Sequence, residues 1–227
     1  NAIVARVYGE DVVLEYEEPS AKVPIMVLFR GGYGKRIVFL GVLTLCQVVP
    51  MYAIYTFGPQ IMTEFGLGAG QEAILGESAV SLFFLVGTFP AMFWLNSLGR
   101  RRLLIVSLAL MTIGMMILGL FPTAPALVIT AALGLYPFFS GGPGILQWLY
   151  PNELFPTSVR ASAVGVSIAI SRLGTIAATY SLPIMLSSFG VGPTMLSASG
   201  LLLLGLVLSI FMAPETKGKS LTEASKL

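Results

Sequence analysis

Long runs without a single Asp, Glu, Lys or Arg follow one another along this chain, and that succession limits its fold more than any motif does. A helix needs about 20 predominantly apolar residues to cross a bilayer. Residues 37–61 and 78–98 each supply such a run. The uncharged block 103–152 is long enough for two spans and divides at Pro122, Thr123, Ala124 and Pro125, a sequence of turn formers. Beyond Arg160, residues 161–189 are interrupted by Arg172 alone and close at Gly190, Val191, Gly192 and Pro193; a last run, 194–213, ends at Pro214. The expected spans are therefore 37–61, 78–98, 103–121, 126–149, 161–189 and 194–213, an all-α membrane protein built as a six-transmembrane-helix bundle. Composition agrees, since charged residues make up 11% of the chain and mean hydropathy is +0.87, against roughly 25% charged in an ordinary globular chain.

The bases test that count independently. Arg6, Lys22, Arg30, Lys35 and Arg36 precede the first span, Arg100, Arg101 and Arg102 separate the second from the third, Arg160 lies between the fourth and fifth, and Lys217, Lys219 and Lys226 follow the sixth. Twelve of the thirteen Lys and Arg thus fall on one side of a six-span topology. The positive-inside rule makes that side cytoplasmic, so the chain is expected to be a multi-pass protein of the plasma membrane, the inner membrane in a bacterium, with both of its termini in the cytoplasm. Residues 1–36 carry five acids and five bases and no spanning run; they read as a cytoplasmic loop whose apolar stretch 23–29 lies at the membrane surface as a short interfacial helix. Residues 214–227 form a cytoplasmic tail. No short apolar segment with a cleavage site precedes the first span, so no secretory signal is expected. With Asn1 in place of an initiator methionine, the chain is expected to start partway through a longer one.

Several chemistries lack parts. Histidine is absent and cysteine occurs once, which removes imidazole metal sites, Ser/His or Cys/His nucleophile pairs and an internal disulfide. Paired intramembrane aspartates are absent too, so an intramembrane enzyme finds no nucleophile with a base. No metal or other cofactor is expected. A formal charge of +2 gives no reason to expect a nucleic-acid partner; the expected partners are the lipid bilayer and a small-molecule substrate.

The spans carry an unusual interior. Pro50 and Pro59 interrupt the first, Pro90 the second, Pro137 and the run Gly141, Gly142, Pro143, Gly144 the fourth, and Pro183 the fifth. Each proline frees a backbone carbonyl that lipid cannot satisfy; broken helices of this kind line substrate paths in transporters, and the Gly/Pro run in the fourth lets that helix bend or another come close. Arg172 falls near the membrane midplane, where an arginine costs about 2.5 to 3.5 kcal/mol even on the lower scales and is taken as functional by default. The one acid within the spans, Glu77, lies near the outer end of the second and is too shallow to partner it. Two readings stay open for Arg172, contact with an anionic substrate and a structural pair with an acid on helices outside this chain. Gln47, Tyr52, Tyr55, Thr56, Tyr136, Ser140, Gln147, Trp148 and Tyr180 are the uncharged polar and aromatic groups at similar depth, and Tyr52, Tyr55 and Thr56 share a helix face. The alternative for such groups is helix-to-helix hydrogen bonding, or an interfacial aromatic belt for Trp148 and Tyr150.

The loops on the basic side carry a resemblance. Asn96, Ser97, Leu98, Gly99, Arg100, Arg101, Arg102 resembles the acid-x-x-Gly-Arg-Arg loop of the major facilitator superfamily, with Asn96 where that family usually has aspartate. The stretch Pro151, Asn152, Glu153, Leu154, Phe155, Pro156, Thr157, Ser158, Val159, Arg160, Ala161 resembles the signature after the tenth helix of its sugar porter and metabolite:proton symporter branch. Pro214, Glu215, Thr216, Lys217, Gly218 resembles the ending of that branch. The resemblance covers essentially the whole chain, as the C-terminal six-helix half of a twelve-helix fold with the preceding central loop. It implies alternating access against an N-terminal six-helix half, a secondary transporter of a small polar metabolite, organic acid or sugar, and the proton as coupling ion. It also implies a gate formed by Gly99, Arg100, Arg101, Glu153, Arg160 and Glu215, in which Glu153 and Arg160 pair with Arg100 to Arg102; the alternative is solvated loop charges worth under ~1 kcal/mol per pair. The candidate substrate site is Arg172 with the polar groups at similar depth, Gln47, Tyr52, Tyr55, Thr56, Tyr136 and Gln147. Where sugar porters carry a Gln-Gln-x-x-Gly-x-Asn pattern, this chain has Cys46, Gln47, Pro50 and Tyr52. The sequence Ser171, Arg172, Leu173, Gly174 resembles organic-ion and aromatic-acid symporters with a base in the eleventh helix, which favours a carboxylated metabolite over a sugar. A facilitative sugar uniporter and a non-transporting half-fragment or scaffold are the remaining readings.

Overall fold

In a computed structural model, the structure describes residues 32–68 and 70–218. The interfacial helix expected over 23–29, most of the loop 1–36 and the end of the tail lie outside the described residues. Six helices follow in order: α1 (Gly34–Glu64), α2 (Gln71–Leu98), α3 (Arg100–Leu120), α4 (Ala126–Leu154), α5 (Thr157–Phe189) and α6 (Val191–Met212). All six are long and apolar enough to cross a membrane, and no strand occurs among the described residues.

The helices outrun the uncharged runs. α1 begins at Gly34 rather than 37, α2 at Gln71 rather than 78, α3 at Arg100 rather than 103, α5 at Thr157 rather than 161, and α4 ends at Leu154 rather than 149. A charge ends a hydrophobic run but not a helix, because Lys, Arg, Gln and Glu are good helix formers once water can reach them. What ends these helices is backbone geometry. Gly99 (φ +86°) and Gly190 (φ +78°) take left-handed conformations between α2 and α3 and between α5 and α6, while Pro125 and Pro156 precede α4 and α5 in extended conformations.

α3 packs against α4 and α6, α1 against α5 and α6, and α2 against α4. Lipid tails are as apolar as leucine, so helices associate in a membrane by close packing across small residues rather than by hydrophobic exclusion. Glycines provide that contact here. A Cβ on Gly87 of α2 would stand 2.0 Å from the backbone oxygen of Phe138 on α4, and one on Gly141 of α4 would stand 2.9 Å from Cα of Thr88. Residues 126–154 nevertheless run as one continuous helix, so the Gly/Pro run of α4 serves close approach rather than a break. The break occurs in α1, where Phe57 leaves helical geometry (φ −115°, ψ 15°) two residues before Pro59. The apolar stretches of α2 and α5 are only 17% and 22% buried, against 67% for α1, and their open faces carry Phe89, Phe93, Leu173, Ile176 and Tyr180.

The contact at Gly87 makes a direct prediction. Gly87→Ala cannot be accommodated by a side-chain shift because the obstacle is backbone, so α2 and α4 must separate. The unfolding midpoint in detergent should fall by an amount equivalent to about 3 kcal/mol, the upper part of the overpacking range. Gly165→Ala on α5, where a Cβ meets nothing within 4 Å, should leave the midpoint unchanged or raise it, since alanine is the better helix former.

Candidate functional site

Arg172 stands midway along the 33-residue α5 and turns its guanidinium to the open side of the bundle, where Nη1 donates to the hydroxyl of Tyr52 on α1 at 3.1 Å. A cleft of about 30 Å³ runs beside it, lined by Thr44 and Val48 of α1, Gln147 and Trp148 of α4, and Ser171 of α5. That volume holds about one water. Among the described side chains no carboxylate meets the guanidinium: Glu153 and Glu215 are engaged at the basic end of the bundle, and Glu64 and Glu77 belong to the opposite ends of α1 and α2. The charge is thus held by a neutral hydroxyl and faces outward from this half.

The other polar groups of the spans divide. Gln147 lines the Arg172 cleft, while Tyr52 meets Arg172 through its hydroxyl. Gln47 is buried, and its amide, oriented to satisfy both ends, donates to the Pro143 carbonyl (3.3 Å) and accepts from the Gly144 N–H (2.9 Å). Tyr136 is fully buried and donates to the Gln47 carbonyl at 3.4 Å. These two residues fasten α1 to the Gly/Pro segment of α4 and lie outside the cleft. Tyr55 sets its ring edge-on to Phe84 of α2 at 6.4 Å with its buried hydroxyl unpaired, and Thr56 is exposed. Tyr150, expected in an interfacial belt, is instead 1% exposed and donates to the Pro214 carbonyl, because the returning tail covers it. Trp148 is exposed and borders the cleft. Thr44 falls outside the expected substrate set; Thr44, Val48 and Tyr52 recur at four-residue intervals, and that spacing was the available signal.

The loops of the basic end close into one network. Arg100 grips Glu153 with Nε to Oε2 (3.3 Å) and Nη2 to Oε1 (2.8 Å), a two-pronged charge-assisted pair of the stronger kind. The two side chains are only 19% and 11% exposed, so this is not a solvated loop pair. Thr216 also donates to Oε2 of Glu153. Glu215 accepts from the backbone N–H groups of Arg100 (3.0 Å), Arg101 (3.2 Å) and Lys217 (3.0 Å). Its carboxylate therefore caps the start of α3, where a helix N-terminus favours negative charge. Gly99 makes room for it, since a Cβ there would stand 2.7 Å from the Glu215 carboxylate. Arg101 donates to the Ile210 carbonyl and Lys217 to the Ser97 carbonyl, both at 2.7 Å; Thr216, Lys217 and Ser97 lie in the quoted motifs but outside the expected gate set. Arg160 departs from expectation. It donates from Nε to the Phe155 carbonyl at 3.1 Å, closing its own loop instead of pairing with Arg100 to Arg102, whose like charge repels it. Among the described residues no group of His, Cys, Asp and Glu could hold a metal ion.

Six spanning helices, a first helix kinked at Phe57, a guanidinium midway along α5 and a charge-bonded loop network are the features of one half of a major facilitator fold. Residues 10–227 match the family model described as "Sugar (and other) transporter", and the chain belongs to that family. It is 48% identical over 229 residues to the protein of Escherichia coli named "Putative metabolite transport protein YaaU", covering 99% of this chain and 51% of that protein. It is 31% identical over 239 residues to the arabinose-proton symporter of Bacillus subtilis, again covering 99% of this chain and 51% of the other. Among solved structures, the proton:xylose symporter XylE bound to 6-bromo-6-deoxy-D-glucose superposes with a TM-score of 0.74 at 25% identity, covering 88% of this chain and 44% of that one. The chain spans about half the length of the curated relatives it matches.

Proposed function

We propose that the complete protein is a secondary transporter that moves a small polar metabolite bearing a carboxylate across the bacterial inner membrane by alternating access, coupled to protons. The observation that carries this reading is Arg172, a guanidinium at mid-membrane depth that no described carboxylate meets and that Tyr52 directs toward the open side of the bundle. A charge of that kind is retained where it meets a solute or a partner helix. Gln147 borders the same cleft and Tyr52 bonds the guanidinium, so both supply neutral hydrogen-bonding groups for the rest of the substrate. The open faces of α2 and α5 then meet an N-terminal six-helix half, and the basic end, with both ends of this chain, faces the cytoplasm. Gly99, Arg100, Arg101, Glu153 and Glu215 act as an inward gate that holds one state while their bonds are made, with Arg160 stiffening its own loop beside them. Proton coupling draws its support from the relatives named as proton symporters.

A second reading, a sugar carrier, is favoured by those same names. A thermal-shift screen of the complete protein against small organic acids and monosaccharides separates the two. A ligand present at a hundred times its Kd stabilises by about 2.7 kcal/mol. Organic acids are expected to raise the midpoint and monosaccharides to leave it unchanged; the reverse pattern would replace the carboxylate reading with the sugar one.

A further inference from the structure

We propose that the substrate carries a single carboxylate, and that Glu64 and Glu77, at the end of the bundle away from the basic loops, select against acids with two or more. This narrows the carboxylate reading of Arg172 and rests on it. Arg172 lies on α5 and its bonding partner Tyr52 on α1. The same two helices flank a cavity of about 870 Å³, whose lining includes Pro59, Gln60 and Glu64 of α1, Ile74 of α2, and Pro183 and Ser187 of α5. At about 1.5 Å per residue, the cavity begins about 10 Å from Tyr52 along α1 and about 16 Å from Arg172 along α5. A solute that enters from that end therefore passes the cavity before it reaches the guanidinium.

Acids border this route. The hydroxyls of Thr63 and Ser187 are spent on their own helices, donating to the carbonyls of Pro59 at 2.9 Å and Ile184 at 3.2 Å. The exposed Gln60 amide and Glu64 carboxylate are the polar groups left to the cavity. Glu77 stands further in. A Cβ on Gly58 would lie 3.0 Å from its Cγ, so the Glu77 side chain covers α1 between Tyr52 and the cavity. Among the described residues, every base except Arg172 belongs to the basic end of the bundle. A first carboxylate thus has a guanidinium to meet. A second one meets like charges, and a desolvated anion without a partner is costly. Hydroxyls meet no such opposition, and Thr44 and Gln147 beside Arg172 offer them neutral hydrogen-bonding groups.

Sorbitol, gluconate and glucarate share a six-carbon hydroxylated chain and carry no, one and two carboxylates. Isothermal titration of the complete protein with each of them reads the charge rule without requiring transport. Glycerate and tartronate repeat the comparison on a three-carbon chain, so that length does not decide the result. The one-carboxylate acid is expected to bind, and its two-carboxylate counterpart about tenfold or more weakly, the cost of a charged group left unpaired. A like charge about 10 Å away in water is worth about two-fold. The Glu64→Gln, Glu77→Gln double variant keeps side-chain size and should narrow the ratio about four-fold at low salt. At 1 M salt, where the Debye length is about 3 Å, the wild-type ratio should approach that of the variant. A two-carboxylate acid that binds as tightly as its counterpart overturns the inference and leaves the carboxylate reading intact. A ratio unchanged in the double variant overturns it as well, because Glu64 and Glu77 then take no part in selection. Failure of every acid in both series overturns the carboxylate reading itself, and this inference with it.

Discussion

Gly99→Ala is expected to lower the unfolding free energy by about 3 kcal/mol, through two costs at one position. The residue has φ +86° and ψ 171°, a region essentially restricted to glycine in which a side chain costs about 1–3 kcal/mol. The added methyl would also stand 2.7 Å from the Glu215 carboxylate, which must withdraw and leave the Arg100 and Arg101 N–H groups at the start of α3 without their acceptor. Losing a helix N-terminal cap costs about 1 kcal/mol, up to about 2. The second cost is shared with Glu215→Ala, so the two substitutions should not add. Because both remove the same cap, the double variant should be less destabilised than the sum of the singles by about 1 kcal/mol, well outside the few tenths expected of independent sites. Unfolding midpoints of the four proteins in one detergent provide the measurement, and strict additivity would show that the contact between Gly99 and Glu215 carries no energy.

How far the sequence disclosed this arrangement differs between the bundle and its sites. The six helices were legible because lipid imposes a single demand, an apolar run of sufficient length, and every span meets it. The ends of the helices were not, since Arg100 and Gln71 begin helices in stretches whose charge marks only where the hydrocarbon stops. The pairing of Arg100 with Glu153 was legible through a motif resemblance, but the placing of Arg160 was not. Only coordinates show that Arg160 turns back to the Phe155 carbonyl and that Thr216 joins Arg100 on Oε2 of Glu153. Gln47 and Tyr136 illustrate the harder limit. A polar group at mid-depth reads the same from sequence whether it faces a cavity or a neighbouring backbone. Here the glycines and prolines of α4 bring its main chain close enough for Gln47 to bond to it directly. Arg172 was legible because a charge has no such inexpensive alternative inside a membrane.

Arg172→Ala in the complete, reconstituted protein should reduce uptake of an organic-acid substrate by about a hundredfold or more, with membrane insertion and helix content unchanged. Removing one partner of a desolvated charge pair costs about 2–5 kcal/mol, and each 1.4 kcal/mol is a factor of about ten. Fold stability should hardly respond, because in this half the guanidinium makes one hydrogen bond, to Tyr52, and is otherwise exposed. Arg172→Lys provides the discriminating comparison. Lysine keeps the charge but lacks the planar fork that meets a carboxylate with two parallel bonds, so the lysine variant should recover part of the activity, chiefly as a raised KM. Tyr52→Phe removes the hydroxyl that directs the guanidinium and should lower uptake by several-fold, the worth of about one net hydrogen bond, while leaving the preference for anionic substrates in place. A role in pairing with an acid on another helix gives a different pattern. Then Arg172→Ala would leave that acid buried without a partner and lower the unfolding midpoint sharply, and it would reduce transport of neutral and anionic solutes alike. Undiminished uptake by the alanine variant would remove Arg172 from the substrate path altogether.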